Sequence, residues 1–208
     1  MEFKIQPATA ADAPRLTEIY FSAFSDNFSL RLLPPTDDVR TFMTQSFKSD
    51  VEKAQSDTAT SLMKIVGTGS DHEAAPAIAG FALWTFKEGD GDEPEEVQWP
   101  PSSDSELCSS FFALIDKERK RAIGDQEHYC LDMLVIDPEF GRQGLGAQLL
   151  KWGLDRADEK RVVTFISSSP AARALYEKHG CRVLNKYEVI PDHWQSTMVR
   201  PVRGMRRG

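Results

Sequence analysis

The stretch Asp137-Pro138-Glu139-Phe140-Gly141-Arg142-Gln143-Gly144-Leu145-Gly146-Ala147-Gln148-Leu149-Leu150 carries an apolar run through a glycine-rich bend and into a helix. Leu131 to Ile136 reads as a buried strand and Asp137-Pro138 ends it. Gly144 to Lys160 carries apolar residues at helical spacing, so the helix starts inside the glycine run. A helix start exposes N–H groups with no intrahelical partner, and the macrodipole adds partial positive charge there. Glycines let a ligand approach that backbone closely, so the run predicts a phosphate site. A Walker A loop needs Lys-Ser/Thr after its last glycine, but Ala147-Gln148 follows Gly146. A dinucleotide fingerprint needs G-x-G-x-x-G, and the order at 141, 144 and 146 is the reverse. Taken alone, the run also suits a strand-to-helix turn that binds nothing.

A second patterned stretch lies downstream. Val162-Val163-Thr164-Phe165-Ile166 reads as a strand, Ser169-Pro170 as a helix cap and first position, and Ala171 to Lys178 as a short helix stopped at Gly180. Working outward, Phe3 to Gln6 predicts a first strand, and a helix begins near residues 10 to 13 with Ala13, Leu16, Tyr20, Ala23 and Phe24 on one face. Asp26 to Pro35 reads as an apolar loop, followed by a helix from Thr36 to about Gln55. Strands at Ser61–Gly67 and Ala77–Phe86 form a hairpin around a polar loop from Thr68 to Pro76. Residues 87 to 126 read as a partly mobile insertion, acidic and rich in Gly and Pro before a helical stretch from Glu106 to Arg121. Two strands, Arg182–Ile190 and Trp194–Val202, close the chain.

The glycine run resembles motif A (Q/R-x-x-G-x-G/A) of the GCN5-related N-acetyltransferases, the GNAT superfamily, with Gly144 and Gly146 in register and Gly141 where Gln or Arg is usual. The downstream stretch resembles motif B of the same family in its Ala-x-Leu-Tyr-Glu-Lys-x-Gly core, with Ser169 in place of Asn and Cys181 in place of Phe. The resemblance implies an α/β (α+β) GNAT fold: a mixed central sheet of six to seven strands, helices on both faces, and an insertion between the third and fourth strands. It also implies one domain over residues 1–208, acetyl-CoA as acetyl donor, and transfer to a primary amine of a small molecule or peptide in a ternary complex. A module of the same fold that binds acetyl-CoA without catalysis is the alternative.

Site residues follow from the motif match. Leu134, Val135 and Ile136 hold the pantetheine arm, and Gly141, Arg142, Gln143, Gly144, Leu145, Gly146 and Ala147 hold the diphosphate. Ser169, Ala172 and Tyr176 face the coenzyme from the second motif. Tyr176 is the candidate general acid, since a phenol of reference pKa near 10 can protonate a departing thiolate, with an aromatic packed on the sheet as the alternative. Asp132 is the candidate base, with a paired structural carboxylate as the equal alternative; His128 and His193 are further candidates by intrinsic pKa. The loops Phe24–Leu33 and Ile190–Trp194 are expected to line an apolar acceptor pocket.

Composition bounds the rest. Hydrophobic residues make up 40% and charged residues 27%, ordinary for a globular chain. No apolar run reaches the length of a membrane span, and the first residues lack a secretory pattern, so cytoplasmic or nuclear residence and no membrane partner are expected. A net charge of −7 argues against nucleic acid as a partner. Cys108, Cys130 and Cys181 read as reduced core thiols, not as metal ligands or nucleophiles, and no metal is expected. The arginines at 200, 203, 206 and 207 read as a frayed basic tail, and either a monomer or a homodimer suits the topology.

Overall fold

The computed structural model describes residues 2–68, 77–89 and 97–202. Thr68 of the sequence-predicted loop at 68–76 ends β2; the rest of that loop, most of the acidic stretch before Val97 and the last three arginines of the tail lie outside the described residues. The strands are β1 (Glu2–Pro7), β2 (Thr60–Thr68), β3 (Ala77–Lys87), β4 (His128–Ile136), β5 (Val163–Ser168), β6 (Arg182–Ile190) and β7 (His193–Arg200). The helices are α1 (Ala13–Ala23), α2 (Asn27–Leu32), α3 (Asp37–Ser56), α4 (Ser105–Ile123), α5 (Leu145–Lys160) and α6 (Pro170–Lys178). The seven strands form one sheet in the order β1-β2-β3-β4-β5-β7-β6. Only the β4–β5 pair is parallel; the others are antiparallel.

Each face of the sheet buries its own core. On one side α1, α2, α3 and α4 pack Leu16, Ile19, Phe28, Val39, Phe47 and Leu107 against Leu62, Phe81 and Val135. On the other, α5 and α6 pack Leu145, Leu149, Leu150, Leu154 and Tyr176 against Ile65, Trp84, Leu131 and Met198. Two helical layers around a mixed sheet follow from strands whose side chains are apolar on both faces. The approach of α5 is close: a Cβ on Gly153 would stand 2.1 Å from the Trp84 indole, so only glycine fits there.

Four sequence expectations are corrected. The segment 26–35 is not a plain loop, because Asp26 caps α2 by accepting from the amides of Phe28 and Ser29. The apolar residues Phe28 and Leu32 then share one side of a turn of helix and become buried. The stretch read as a partly mobile insertion is well packed over its helical part. α4 lies on β5, β6 and β7 and carries buried Leu107, Cys108 and Ile123. Strand β4 begins at His128, three residues before the apolar run that announced it, because β3 extends the ladder to Lys87. Arg200 is no part of a frayed tail; its guanidinium forks onto both carboxylate oxygens of Asp158 on α5, at 2.8 and 2.7 Å. The three cysteines are free and buried, as read from sequence.

Candidate active site

The geometry of the site begins where β4 and β5 part. Their parallel register runs from His128↔Val163 to Leu131↔Ile166 and ends there. Beyond that point β5 stays with β7 through Ser168↔Ser196, while β4 stays with β3 through Gly80↔Ile136. The β5-facing edge of Met133 to Ile136 therefore presents strand hydrogen-bonding groups to a gap, a template for an added extended chain. Leu134, Val135 and Ile136 stand on that edge.

β4 leads straight into the glycine run. Asp137, buried, accepts from the amide of Glu139 and pairs with Arg15 of α1 at 2.5 Å, which pins the strand end to the opposite helix layer. A 3-10 turn at Pro138–Phe140 follows, and the amide of Gly141 closes it by donating to the Pro138 carbonyl at 3.1 Å. That amide is thus already used, and the open cradle runs from Arg142 to Ala147. Arg142 (φ 63) and Gly144 (φ 75) both take the left-handed conformation. Gly144 is the N-cap of α5, and the first helical bond runs from the Gln148 amide to the Gly144 carbonyl. The amides of Leu145, Gly146 and Ala147 consequently have no helical acceptor, and no cap side chain takes them. Successive amides around left-handed residues at a helix start form an anion-binding concavity.

The second motif folds against the first. A Cβ on Gly146 would lie 3.5 Å from Leu175 of α6 and 3.6 Å from Ile136 of β4, so loop, strand and α6 converge at this glycine. Ser169 holds the N-cap position of α6 in extended backbone, yet its hydroxyl makes no capping bond. The N-cap and first-position places read from sequence for Ser169 and Pro170 therefore hold, without a side-chain bond.

The fold, a seven-stranded mixed sheet with helices on both faces, matches proteins of known structure. The family model of the acetyltransferase (GNAT) domain matches residues 111–194. The uncharacterized N-acetyltransferase YafP of Escherichia coli is 27% identical over 124 residues, covering 59% of this chain and 70% of that one. The PaiA N-acetyltransferase of Thermoplasma acidophilum, solved in complex with coenzyme A, aligns with a TM-score of 0.59 at 11% identity over 97% of this chain and 99% of that one. Arylalkylamine N-acetyltransferase 2 of Aedes aegypti aligns with a TM-score of 0.67 at 14% identity over 98% and 100%. Residues 111–194 thus match the GNAT acetyltransferase domain, and the chain as a whole shares the GNAT fold.

Within this GNAT fold the remaining sequence-predicted residues separate by environment. Tyr176 is only 5% exposed, packed with Leu131, Leu145 and Ala172, and burial raises its phenol pKa well above the ordinary value. The proton is held firmly at neutral pH. Asp132 sits at a break in the β3–β4 ladder: Leu83 pairs with Met133 and Trp84 with Leu131, so Asp132 is the extra residue of a β-bulge. Its side chain is open to solvent yet ringed by protein, and the resulting loss of hydration raises its pKa to about 6. The Thr85 hydroxyl donates to its Oδ2 and acts in the opposite direction.

The histidines take different parts. His128 is fully buried, with Nδ1 2.7 Å from the Gln126 carbonyl and Nε2 3.3 Å from the Arg119 guanidinium, a structural role at the far end of β4. His193, the first residue of β7, stacks on Phe28 with ring centroids 3.6 Å apart. Burial lowers its pKa, so the imidazole is neutral at pH 7. Phe28 also meets Phe111 of α4 edge-on at 5.2 Å. The two loops expected to line an acceptor pocket are thereby joined to each other and to α4, while Trp194 is 46% exposed and no part of that contact. Sequence reasoning missed Thr85 and Phe111. Neither lies in a motif, and the only signal at Phe111 was its helical spacing with Leu107 and Leu114. Among the described residues no group of three His, Cys, Asp or Glu side chains is placed to hold a metal ion, and no helix is long and apolar enough to cross a membrane.

Proposed function

We propose that this protein, acting as one domain over residues 1–208, transfers the acetyl group of acetyl-CoA to a primary amine by direct attack in a ternary complex. The observation that carries the reading is the continuity of two binding surfaces: the unpaired edge of β4 from Met133 to Ile136 runs directly into the amide cradle at Arg142–Ala147. An extended arm ending in a diphosphate fits a strand edge followed by a helix start. A relative of the same fold has been solved with coenzyme A bound. Acetyl-CoA supplies the activated acetyl thioester.

The chain's own residues then have separable tasks. β4 backbone orients the arm, and the α5 amides with Arg142 and Gln143 neutralise the diphosphate. Ser169 and Ala172 form the α6 wall. Asp132, with a pKa raised to about 6, is ionised at pH 7 and basic enough to take a proton from an incoming ammonium group. Tyr176 carries its proton in the resting site and gives it to the departing thiolate, against the rise in its own pKa that burial causes. No buried thiol substitutes for the amine: burial pushes the Cys108 and Cys181 pKa values up to about 11 and that of Cys130 higher still.

The acceptor is an amine that enters beside the aromatic cluster of Phe28, His193 and Phe111. A structural neighbour is an arylalkylamine N-acetyltransferase, which agrees with an apolar lining. Calorimetric titration with acetyl-CoA, followed by mass spectrometry on a panel of aryl-alkylamines, aliphatic amines and peptide N-termini, tests the proposal. Saturable one-to-one binding and a mass increase of one acetyl group on an amine are expected. Failure of the folded protein to bind coenzyme A would overturn it, and binding without product from any amine would leave only a coenzyme-binding module.

A further inference from the structure

The bulge in β4 raises a mechanical problem. An extra residue in a strand loses its cross-strand partner, so its side chain is not fixed by the ladder. Asp132 is that residue, opposite the step from Leu83 to Trp84. It is also solvent-accessible, which leaves its carboxylate free to sample rotamers unless something holds it. One side chain does. Thr85 of β3, whose own ladder partner is Cys130, reaches across the bulge and donates its hydroxyl hydrogen to Asp132 Oδ2.

We propose that Thr85 is the positioning residue of the acetyl-transfer reaction, fixing the Asp132 carboxylate at the bulge so that its second oxygen faces the acceptor amine. The inference rests on the reading of Asp132 as the base. Three observations support it. Thr85 is β-branched, so its χ1 is stiff and its hydroxyl is aimed without much loss of entropy. A hydrogen bond to Oδ2 leaves Oδ1 as the basic oxygen. The donor also stabilises the ionised carboxylate, against the loss of hydration that makes it a stronger base.

The charges acting on Asp132 come from three elements: Lys87 of β3 and Arg119 of α4, which favour the ionised form, and Asp50 of α3, which favours its protonated form. Cys130, on β4 itself, is buried with its pKa raised and stays a neutral thiol. Among these groups Thr85 is the one whose hydrogen bond to the carboxylate sets direction as well as charge.

The test is the pH profile of kcat/KM for Thr85→Val, Thr85→Ser and Asp132→Asn against the unaltered enzyme, with whichever amine the panel identifies. The unaltered enzyme is expected to lose activity on the acid side with an apparent pKa near that of Asp132, about 6. Thr85→Val, which keeps shape and removes the donor, should move that limb upward by roughly one pH unit, the size of a lost hydrogen bond to a charged group. It should lower kcat at the plateau while the KM for acetyl-CoA holds. Thr85→Ser should restore the limb, which a merely structural role for the methyl group would not do. An unmoved limb in Thr85→Val, with Asp132→Asn inactive, overturns the role of Thr85 and leaves the base in place. An Asp132→Asn enzyme with the unaltered rate and limb overturns the base assignment, and the positioning role with it.

Discussion

At the scale of single residues, two titratable groups are held away from their solution behaviour by one cause, loss of hydration, with the same result: each holds a proton more tightly. A buried phenol keeps its proton more tightly, and a half-enclosed carboxylate keeps its charge less easily. In the proposed reaction the phenol gives its proton to sulfur against the rise in its pKa, while the rise in the other group makes the carboxylate a stronger base toward nitrogen. Tyr176→Phe removes only the transferable proton, because the ring remains packed against Leu131 and Leu145. The expected outcome is a kcat lowered by about two orders of magnitude, the usual worth of a general acid, with acetyl-CoA affinity by titration nearly unchanged. Equal turnover in the variant would remove the phenol from the mechanism.

At the scale of elements, the start of α5 is held open by conformation and not by a side chain. Gly144 takes φ 75 with nothing within 4 Å of where a Cβ would be, so the objection to a larger residue there is strain alone. Gly124 after α4 also has a positive φ, 60, with nothing within 4 Å, but its ψ of −141 puts it in a region that side chains tolerate less well. Gly144→Ala should lower stability by about 1 kcal/mol in urea denaturation, and Gly124→Ala by at least as much. Only Gly144→Ala should weaken coenzyme A binding, since only that strain can relax by turning the amides of residues 145–147. Equal affinities in the two variants would show that the cradle does not depend on the left-handed cap.

At the scale of the whole molecule, α4 is what distinguishes this chain from a bare two-layered sheet. It seats Glu118, 5% exposed, on the sheet, where the carboxylate accepts from Asn185 of β6 at 2.9 Å and from Thr197 of β7 at 3.0 Å. These donors hold its pKa below the ordinary glutamate value. Phe111 on the same helix touches Phe28, which stacks on His193, so the seat of α4 fixes the aromatic cluster beside the proposed acceptor entrance. Glu118→Ala leaves the buried Thr197 hydroxyl and the half-buried Asn185 amide without this acceptor and should cost about 1–3 kcal/mol of stability. The KM for the amine is expected to rise more than that for acetyl-CoA, because the helix bears on one side of the site only. Parallel changes in both constants would separate α4 from acceptor recognition.

How much of this was legible beforehand depends on the range of the forces involved. The glycine run, the Ser169-Pro170 helix start and the alternation of strands with helices are local: backbone conformation and apolar period are written in consecutive residues, and the sheet, its two covered faces and the course of the cradle followed from them. The exact bounds of β4, the short helix at Asn27–Leu32 and the seat of α4 were not legible, because each depends on a partner distant in sequence: β3, an Asp26 cap within an apolar surface, and the backs of β5, β6 and β7. The same holds within the site. Gly144 and Tyr176 announced themselves by motif, whereas the hydroxyl of Thr85 meets Asp132 across 47 residues of chain. The sequence by itself determined the local bends and the order of elements, since those are set by sterics and by the spacing of apolar side chains. Only the tertiary structure decided where β4 leaves β5, which residue bulges and which carboxylate is tethered, since those are outcomes of strand register, a competition between pairings that no short stretch of chain contains.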